Sequence, residues 1–186
     1  IVPAENILSV PGGGWQVLNT ALADERSSMG EAARGPRSGV PIAPGEQPLM
    51  ALAREANRLD EPALRQDIAQ AIAYKRLNAL NTARAKADLE QGTSSSIMSL
   101  GKLAMSRILH EEARVRTEIL GAQSLLEGEL YPRAEDANFL SLYAYFTSIG
   151  GGTDQIQRNI IGERVLGLTK EPKVDKNVPF RDVRTS

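Results

Sequence analysis

The sequence predicts an all-α fold, an up-and-down bundle of long antiparallel helices. Three observations carry this expectation. Apolar residues recur every three to four positions over stretches longer than ordinary strands. Clusters of Gly and Pro separate those stretches, and such clusters break helices and mark connections. Only 4% of the 186 residues are aromatic, so the core must be aliphatic, and Ala-rich, Gly-interrupted stretches favour closely packed helices over a β-sandwich.

The elements follow in order. Residues 1–10 alternate weakly and include Pro3 and Asn6, so they read as a strand end or an extended loop. Pro11-Gly12-Gly13-Gly14 is a strong breaker. A helix then runs from about Gly14 to about Ala33, with Trp15, Leu18, Leu22 and Met29 along one stripe. Residues 34–48 hold Gly35, Pro36, Gly39, Pro41, Pro44, Gly45 and Pro48, which makes a loop, expected to be mobile when no partner covers it. Leu49, Leu52, Ala53 and Ala56 suggest a short helix ending near Arg58. Asp60-Glu61-Pro62 reads as a helix start, with Asp60 able to cap and Pro62 in the first turn, where its missing N–H costs nothing.

The helix from Pro62 carries two stripes, one of Leu64, Ile68, Ile72, Ala79 and Ala83, the other of Ala73, Leu77 and Leu80. A helix apolar on two sides is expected to lie sandwiched in a bundle. Gly92 stops it. The next helix opens at Thr93 or Ser94, and Leu100, Ala104, Ile108, Val115, Ile119, Ala122 and Leu126 repeat at helical spacing. That is roughly eight turns, about 45 Å at ~1.5 Å per residue, ended by Gly128 and Pro132. Phe139, Tyr143 and Phe146 belong to a further helix halted by Gly150-Gly151-Gly152. Thr153 or Asp154 caps the last helix, which carries Ile156, Ile160, Ile161 and Val165, and residues 169–186 read as a tail.

Composition removes several function classes. The net charge of -1 argues against nucleic acid as the main partner, because phosphate neutralisation needs clustered basic residues. Without Cys there is no disulfide, no thiolate catalysis and no Cys-based metal site, a composition compatible with a reducing cytoplasm, where this reading places the chain. The single His, His110, supports neither a His-rich metal site nor a Ser-His pair, and is expected to be a surface or satisfied helix residue. No metal is expected. No run approaches the ~18 apolar residues of a membrane span. Ile1-Val2-Pro3-Ala4 is no signal peptide; the alternatives are a processed terminus and a chain that begins inside a larger protein, and the strand-like start favours the second.

Two segments carry a family resemblance. Ser148-Ile149-Gly150-Gly151-Gly152-Thr153-Asp154-Gln155-Ile156-Gln157-Arg158-Asn159-Ile160-Ile161 closely resembles the last helix of acyl-CoA dehydrogenases, with its Gly-Thr-x-x-Ile-Gln-Arg-x-Ile-Ile core. Val2-Pro3-Ala4-Glu5-Asn6, then Gly12-Gly13-Gly14-Trp15, then Leu22-Ala23-Asp24-Glu25-Arg26 resembles that family's last middle-domain strand, its Gly turn and its first C-terminal helix. The resemblance implies that residues 1–13 are the end of a middle β domain with its linker, 14–168 the C-terminal helical bundle and 169–186 a tail. It also implies FAD as cofactor, held between the middle domain and the bundle and partly by a neighbouring subunit.

The reaction implied is α,β-dehydrogenation of an acyl-CoA to the trans-2-enoyl-CoA. A carboxylate removes the α-proton while the β-hydrogen leaves as hydride to the flavin, and an electron-transfer flavoprotein or similar acceptor takes the electrons onward. Many members carry the base just before the Gly-Thr of the last helix; the matching residue here is Gly151, which has no side chain. Others, such as isovaleryl-CoA dehydrogenase, carry it on the first bundle helix before an Arg; the match here is Glu25, followed by Arg26. The resemblance therefore implies Glu25 as base, Arg26 near the CoA moiety, the Gly151 backbone N–H toward the thioester oxygen, and Thr153 and Gln155 toward the adenosine side of FAD. The bland alternatives are a solvated Glu25–Arg26 pair, worth less than ~1 kcal/mol, and a plain helix cap at Thr153. Asp24 and Glu163 read as solvated or helix-terminal charges.

One departure stands out. Many members follow the first bundle helix with an Arg-x-x-Phe-Gly segment that reaches a neighbour's flavin, and residues 34–48 lack it. In this the chain resembles a divergent bacterial branch, some of whose members act on bulky or steroid side-chain acyl-CoAs as mixed assemblies of two related subunits. A homo- or hetero-oligomer is thus implied. The alternative role is a non-catalytic structural subunit of such a mixed oligomer.

Overall fold

A computed structural model describes residues 3–29, 47–92, 98–170, 172 and 178–183; for 23–29, 98, 99 and 180 the description is of backbone alone. The fold is all-α. Its helices are α1 (Gly14–Met29), α2 (Pro48–Glu55), α3 (Pro62–Glu90), α4 (Met98–Leu120), α5 (Pro132–Ile149) and α6 (Asp154–Ile160), the last continued by a wider π-turn over Ile161–Val165. The expectation for residues 34–48 falls mostly outside the described residues. So does half of the tail expected over 169–186.

Helix α4 is the centre of the bundle. It packs along α3 on one side and α5 on the other, with α2 and α6 against opposite halves. The cross-helix pairs run in opposite senses. Asp67 and Lys75 of α3 meet Arg114 and Glu112 of α4, and Ser106 of α4 meets Ser148 near the end of α5. Both neighbours are therefore antiparallel to α4, as the short connections require. The core joins Leu49, Leu52 and Ala53 of α2, Leu64 and Ile68 of α3, Val115, Ile119 and Leu120 of α4, and Ala137 of α5. Burying an aliphatic side chain of this kind contributes about 1.5–3 kcal/mol, so this layer is the main source of cohesion.

The end of α2 is fixed by local chemistry. Asn57 takes a left-handed backbone with φ 54, the Arg58 N–H donates to the Ala53 carbonyl at 2.9 Å and the Asn57 N–H to the Arg54 carbonyl at 3.0 Å. This pattern satisfies carbonyls that the helix end leaves open. It also places Arg58 at the C-terminus of α4, where its guanidinium donates to the carbonyls of Glu118 and Ile119. A cation there complements the helix dipole.

Several expectations are corrected. Of the two readings for residues 1–10, a strand end or an extended loop, the described residues 3–10 form no strand: Ala4–Asn6 is a single 3₁₀ turn and residues 7–10 are irregular. Asp60 does not cap α3. Glu61 is the N-cap residue without a side-chain cap bond, since its carboxylate is drawn into a fork with Arg58 at 2.5 and 2.7 Å. Helix α4 does not run to 127, because Gly121 turns left-handed at φ 55 and the chain tightens into a 3₁₀ segment over Gly121–Leu125. The second stripe of α3 is not sandwiched: Leu77 and Leu80 are exposed. The α1 stripe is open as well, with Trp15 and Leu18 exposed. Gly92 ends α3 at φ 74, in line with its expected role.

Candidate active site

The candidate site is built around the turn between α5 and α6. Helix α5 ends at Gly150, whose N–H donates to the Phe146 carbonyl at 2.8 Å. The chain then reverses through Gly151 and Gly152, with φ 68 and 93. Both values lie in the region where a side chain is strained, so glycine at these positions is a backbone requirement. Thr153 N-caps α6, its hydroxyl oxygen accepting from the Ile156 N–H at 3.2 Å. The buried Gln157 side chain reaches back and donates to the Gly151 carbonyl at 3.1 Å. A Cβ on Gly152 would meet the Gln157 amide nitrogen at 3.0 Å.

A chain of polar side chains runs beneath this turn. Lys102 Nζ pairs with Asp154 Oδ1 at 2.9 Å. Ser106 Oγ donates to Asp154 Oδ2 at 2.7 Å and lies 2.8 Å from Ser148 Oγ. His110 Nε2 lies 2.7 Å from that same Ser148 oxygen, and its ring meets Tyr145 edge-on at 4.9 Å. The direction of the chain follows from counting hydrogens. A carboxylate only accepts, so the single hydroxyl hydrogen of Ser106 points to Asp154. Ser148 has one hydroxyl hydrogen and two acceptors for it, Ser106 Oγ and the Ala144 carbonyl at 3.1 Å. When it points to Ser106, the His110 tautomer with its hydrogen on Nε2 donates to Ser148, and every donor in the row then leads to Asp154, where Lys102 closes it from the other side.

A second charge cluster, with Glu112 and Arg116 buried and Lys75 at its exposed edge, lies further along α4. Glu112 takes Lys75 Nζ at 2.5 Å and Arg116 at 3.0 Å. Burial acts to raise the Glu112 pKa, but the two cations outweigh it and hold the carboxyl below its ordinary value. A cleft of about 360 Å³ lined by Leu52, Glu55, Arg58, Ile119, Gln123 and Arg133 lies at the C-terminal end of α4 and includes no residue of the glycine turn.

The residues named from sequence fall into two groups. Gly151, Thr153 and Gln155 come together at the start of α6; Gly151 is buried, Thr153 half-buried and Gln155 exposed. Glu25 and Arg26 lie on the backbone of α1, and their side chains, like that of Asp24, fall outside the described residues. Glu163 sits half-buried in the π-turn. His110 is a half-buried, hydrogen-bonded helix residue, and among the described residues no three acidic or imidazole side chains gather as metal ligands. No described helix is long and apolar enough to cross a membrane.

Sequence reasoning passed over Lys102, Ser106 and Ser148. A signal for two of them was present. Lys102, Ser106, Leu109, Ala113, Arg116 and Leu120 follow spacings of four and three, and all six are buried. Polar residues standing on an otherwise apolar stripe mark a buried polar network.

Comparison with known proteins agrees with this architecture. The family model "Acyl-CoA dehydrogenase, C-terminal domain" matches residues 12–166. The chain is 30% identical over 172 residues to acyl-CoA dehydrogenase IpdE1 of Mycolicibacterium smegmatis, covering 90% of this chain and 40% of that protein. It is 30% identical over 177 residues to the protein of the same name from Mycobacterium tuberculosis, covering 91% of this chain and 42% of that one. The chain thus spans well under half the length of the curated relatives it matches. No solved structure matches it.

Proposed function

The chain belongs to the acyl-CoA dehydrogenase family, and from that premise we propose that it is the C-terminal part of an FAD-dependent enzyme converting an acyl-CoA to its trans-2-enoyl-CoA. The observation that supports this most is the family match over residues 12–166, which takes in both α1 with Glu25 and the glycine turn with Thr153. Residues 14–168 are the bundle domain in this reading, residues 1–13 the end of a preceding β domain with its linker and 169–186 a tail. Electrons leave to an electron-transfer flavoprotein or similar acceptor, in a cytoplasmic homo- or hetero-oligomer of related subunits.

Each residue has a stated task. Glu25 takes the α-proton, a step that needs a carboxylate beside the substrate in a dry site where its pKa rises toward the working pH. Arg26 holds the CoA moiety. Negative charge builds on the thioester oxygen as the proton leaves, and the Gly151 N–H is the donor aimed at it; burial of that position strengthens such a hydrogen bond. FAD, when bound, supplies the acceptor for the β-hydride. The start of α6 fits its adenosine side: no side chain projects from Gly150–Gly152, Gln155 is exposed, and the nearby Asp154 carboxylate is neutralised by Lys102. Thr153 and Gln155 provide the polar contacts there.

The test is Glu25→Gln in the full-length, FAD-loaded protein, followed by anaerobic bleaching of the flavin with an acyl-CoA. The amide cannot accept a proton, so reduction slows by about 10²–10⁴-fold while FAD content stays at the parent level. Bleaching as fast as the parent's removes Glu25 from the mechanism. The second reading, a structural subunit completing a partner's site, is favoured by the absence of an Arg-x-x-Phe-Gly segment in residues 34–48. It would gain if the protein retained no flavin without a related subunit.

A further inference from the structure

We propose that Ser106 is a positioning residue, a staple that fixes both ends of the triple-glycine turn with one hydroxyl group. Three consecutive glycines have more backbone freedom than any other tripeptide and carry no side chain to hold their place; the Gly150 N–H bond to the Phe146 carbonyl and the Gln157 bond to the Gly151 carbonyl hold the turn itself but not the elements on either side of it. Those elements must be anchored from outside the turn. Ser148 stands just before it on α5 and Asp154 just after it on α6, and Ser106 Oγ touches both, at 2.8 and 2.7 Å. Between those anchors lie only Ile149, the glycines and Thr153.

The staple is built to be rigid. Ser106 is 1% exposed, so water does not compete for its hydrogen bonds. It stands on α4, the helix with the broadest packing in the molecule. Its hydrogen goes to Asp154 and its lone pair to Ser148, so both functions of one hydroxyl are used. Lys102 holds the far oxygen of Asp154, and His110 holds Ser148 from behind. Both oxygens of the Asp154 carboxylate are thereby engaged, which makes it a positioning group. The ordering of the turn stands by itself; its consequence for catalysis rests on the dehydrogenase reading, in which the Gly151 N–H meets the thioester oxygen. Small misplacement of such a donor lowers the rate more than the affinity.

The experiment compares Ser106→Ala, Ser148→Ala, their double variant and Asp154→Asn in the full-length, FAD-loaded protein, by hydrogen exchange and by turnover. Loss of the staple speeds exchange at the amides of Gly150–Thr153 about tenfold, the weight of one hydrogen bond, while the amides of Val115 and Ile119 stay unchanged. The two alanine variants are non-additive, because each removes the same link. Asp154→Asn keeps an acceptor for Ser106 but leaves the buried Lys102 without its carboxylate, so exchange at the turn rises at least as far as in Ser106→Ala. In turnover, kcat for acyl-CoA falls about tenfold and KM moves less than twofold. Exchange at the turn within twofold of the parent, or a uniform rise through α4 and α5, overturns the staple. Faster exchange with unchanged kcat overturns the positioning role. If no acyl-CoA reduces the parent's flavin, the dehydrogenase reading falls, and the exchange result still decides whether Ser106 orders the turn. Should Ser106→Ala fail to fold, Ser148→Ala, at a half-buried position, carries the same comparison.

Discussion

Helices α1 and α4 carry the same kind of apolar stripe, yet only one is buried. Trp15 and Leu18 of α1 are 73% and 46% exposed, whereas Val115 and Ile119 of α4 are 0% and 1%. Spacing every three to four residues makes both amphipathic; burial needs a surface to meet. Helix α4 finds α3, α5, α2 and α6, while α1 shares no extended packing face with another described helix. The two halves of the proposed site therefore have different support. The glycine turn is anchored from within this chain through Ser106, and Glu25 rides on the helix that the rest of the bundle holds least.

The largest expected contrast is in hydrogen exchange of this chain. A 16-residue helix that shares no extended packing face with another described helix is marginal in water, so α1 amides should open at almost no free-energy cost. The amides of Val115 and Ile119 should exchange only through global unfolding, about 5–15 kcal/mol for an ordinary domain. Equal protection in α1 would break the comparison. Next in size is Ile119→Ala, which leaves a cavity in the shared core and should destabilise by about 2–5 kcal/mol in urea titration. A loss below ~1 kcal/mol would mean that the layer around Ile119 collapses freely.

Glu112→Gln should come third, at about 1–3 kcal/mol near neutral pH, because it removes charge-assisted bonds to Lys75 and Arg116. Its pH dependence has a definite sign. The folded-state pKa is held below the ordinary value of 4.5, so the carboxylate stabilises the fold above that value. The contribution disappears as pH falls from 4.5 through the lower folded-state value. The variant should therefore show a flatter acid limb in that window, and an unchanged limb would remove Glu112 from the acid response. The smallest effect belongs to Leu18→Ala, within about 0.5 kcal/mol because the site is open to water. A larger loss would show that α1 leans on the bundle after all.

Much of the candidate site was legible from residue order. Gly151, Thr153 and Gln155 lie within five positions of one another, and a cap with its glycines is a local pattern. Ser106, Ser148, Lys102 and His110 were not legible as a unit, since the links join residues 38 to 52 positions apart. Nothing in the sequence near Ser106 says that Asp154 will arrive beside it.

The sequence by itself determined the helical character of each segment and the stops at Gly92 and at the triple glycine, and it narrowed the cap of the last helix to Thr153 or Asp154. These are encoded in contacts three and four residues apart and in backbone preferences, which act without any partner. Tertiary structure decided which stripe of α3 is covered, that α1 stands open, that Glu61 goes to Arg58 instead of leaving Asp60 to cap, and that α4 ends at Gly121. Each outcome depends on which surface arrives from elsewhere in the chain, and hydrophobic burial, being non-directional, accepts whichever apolar face the loops deliver.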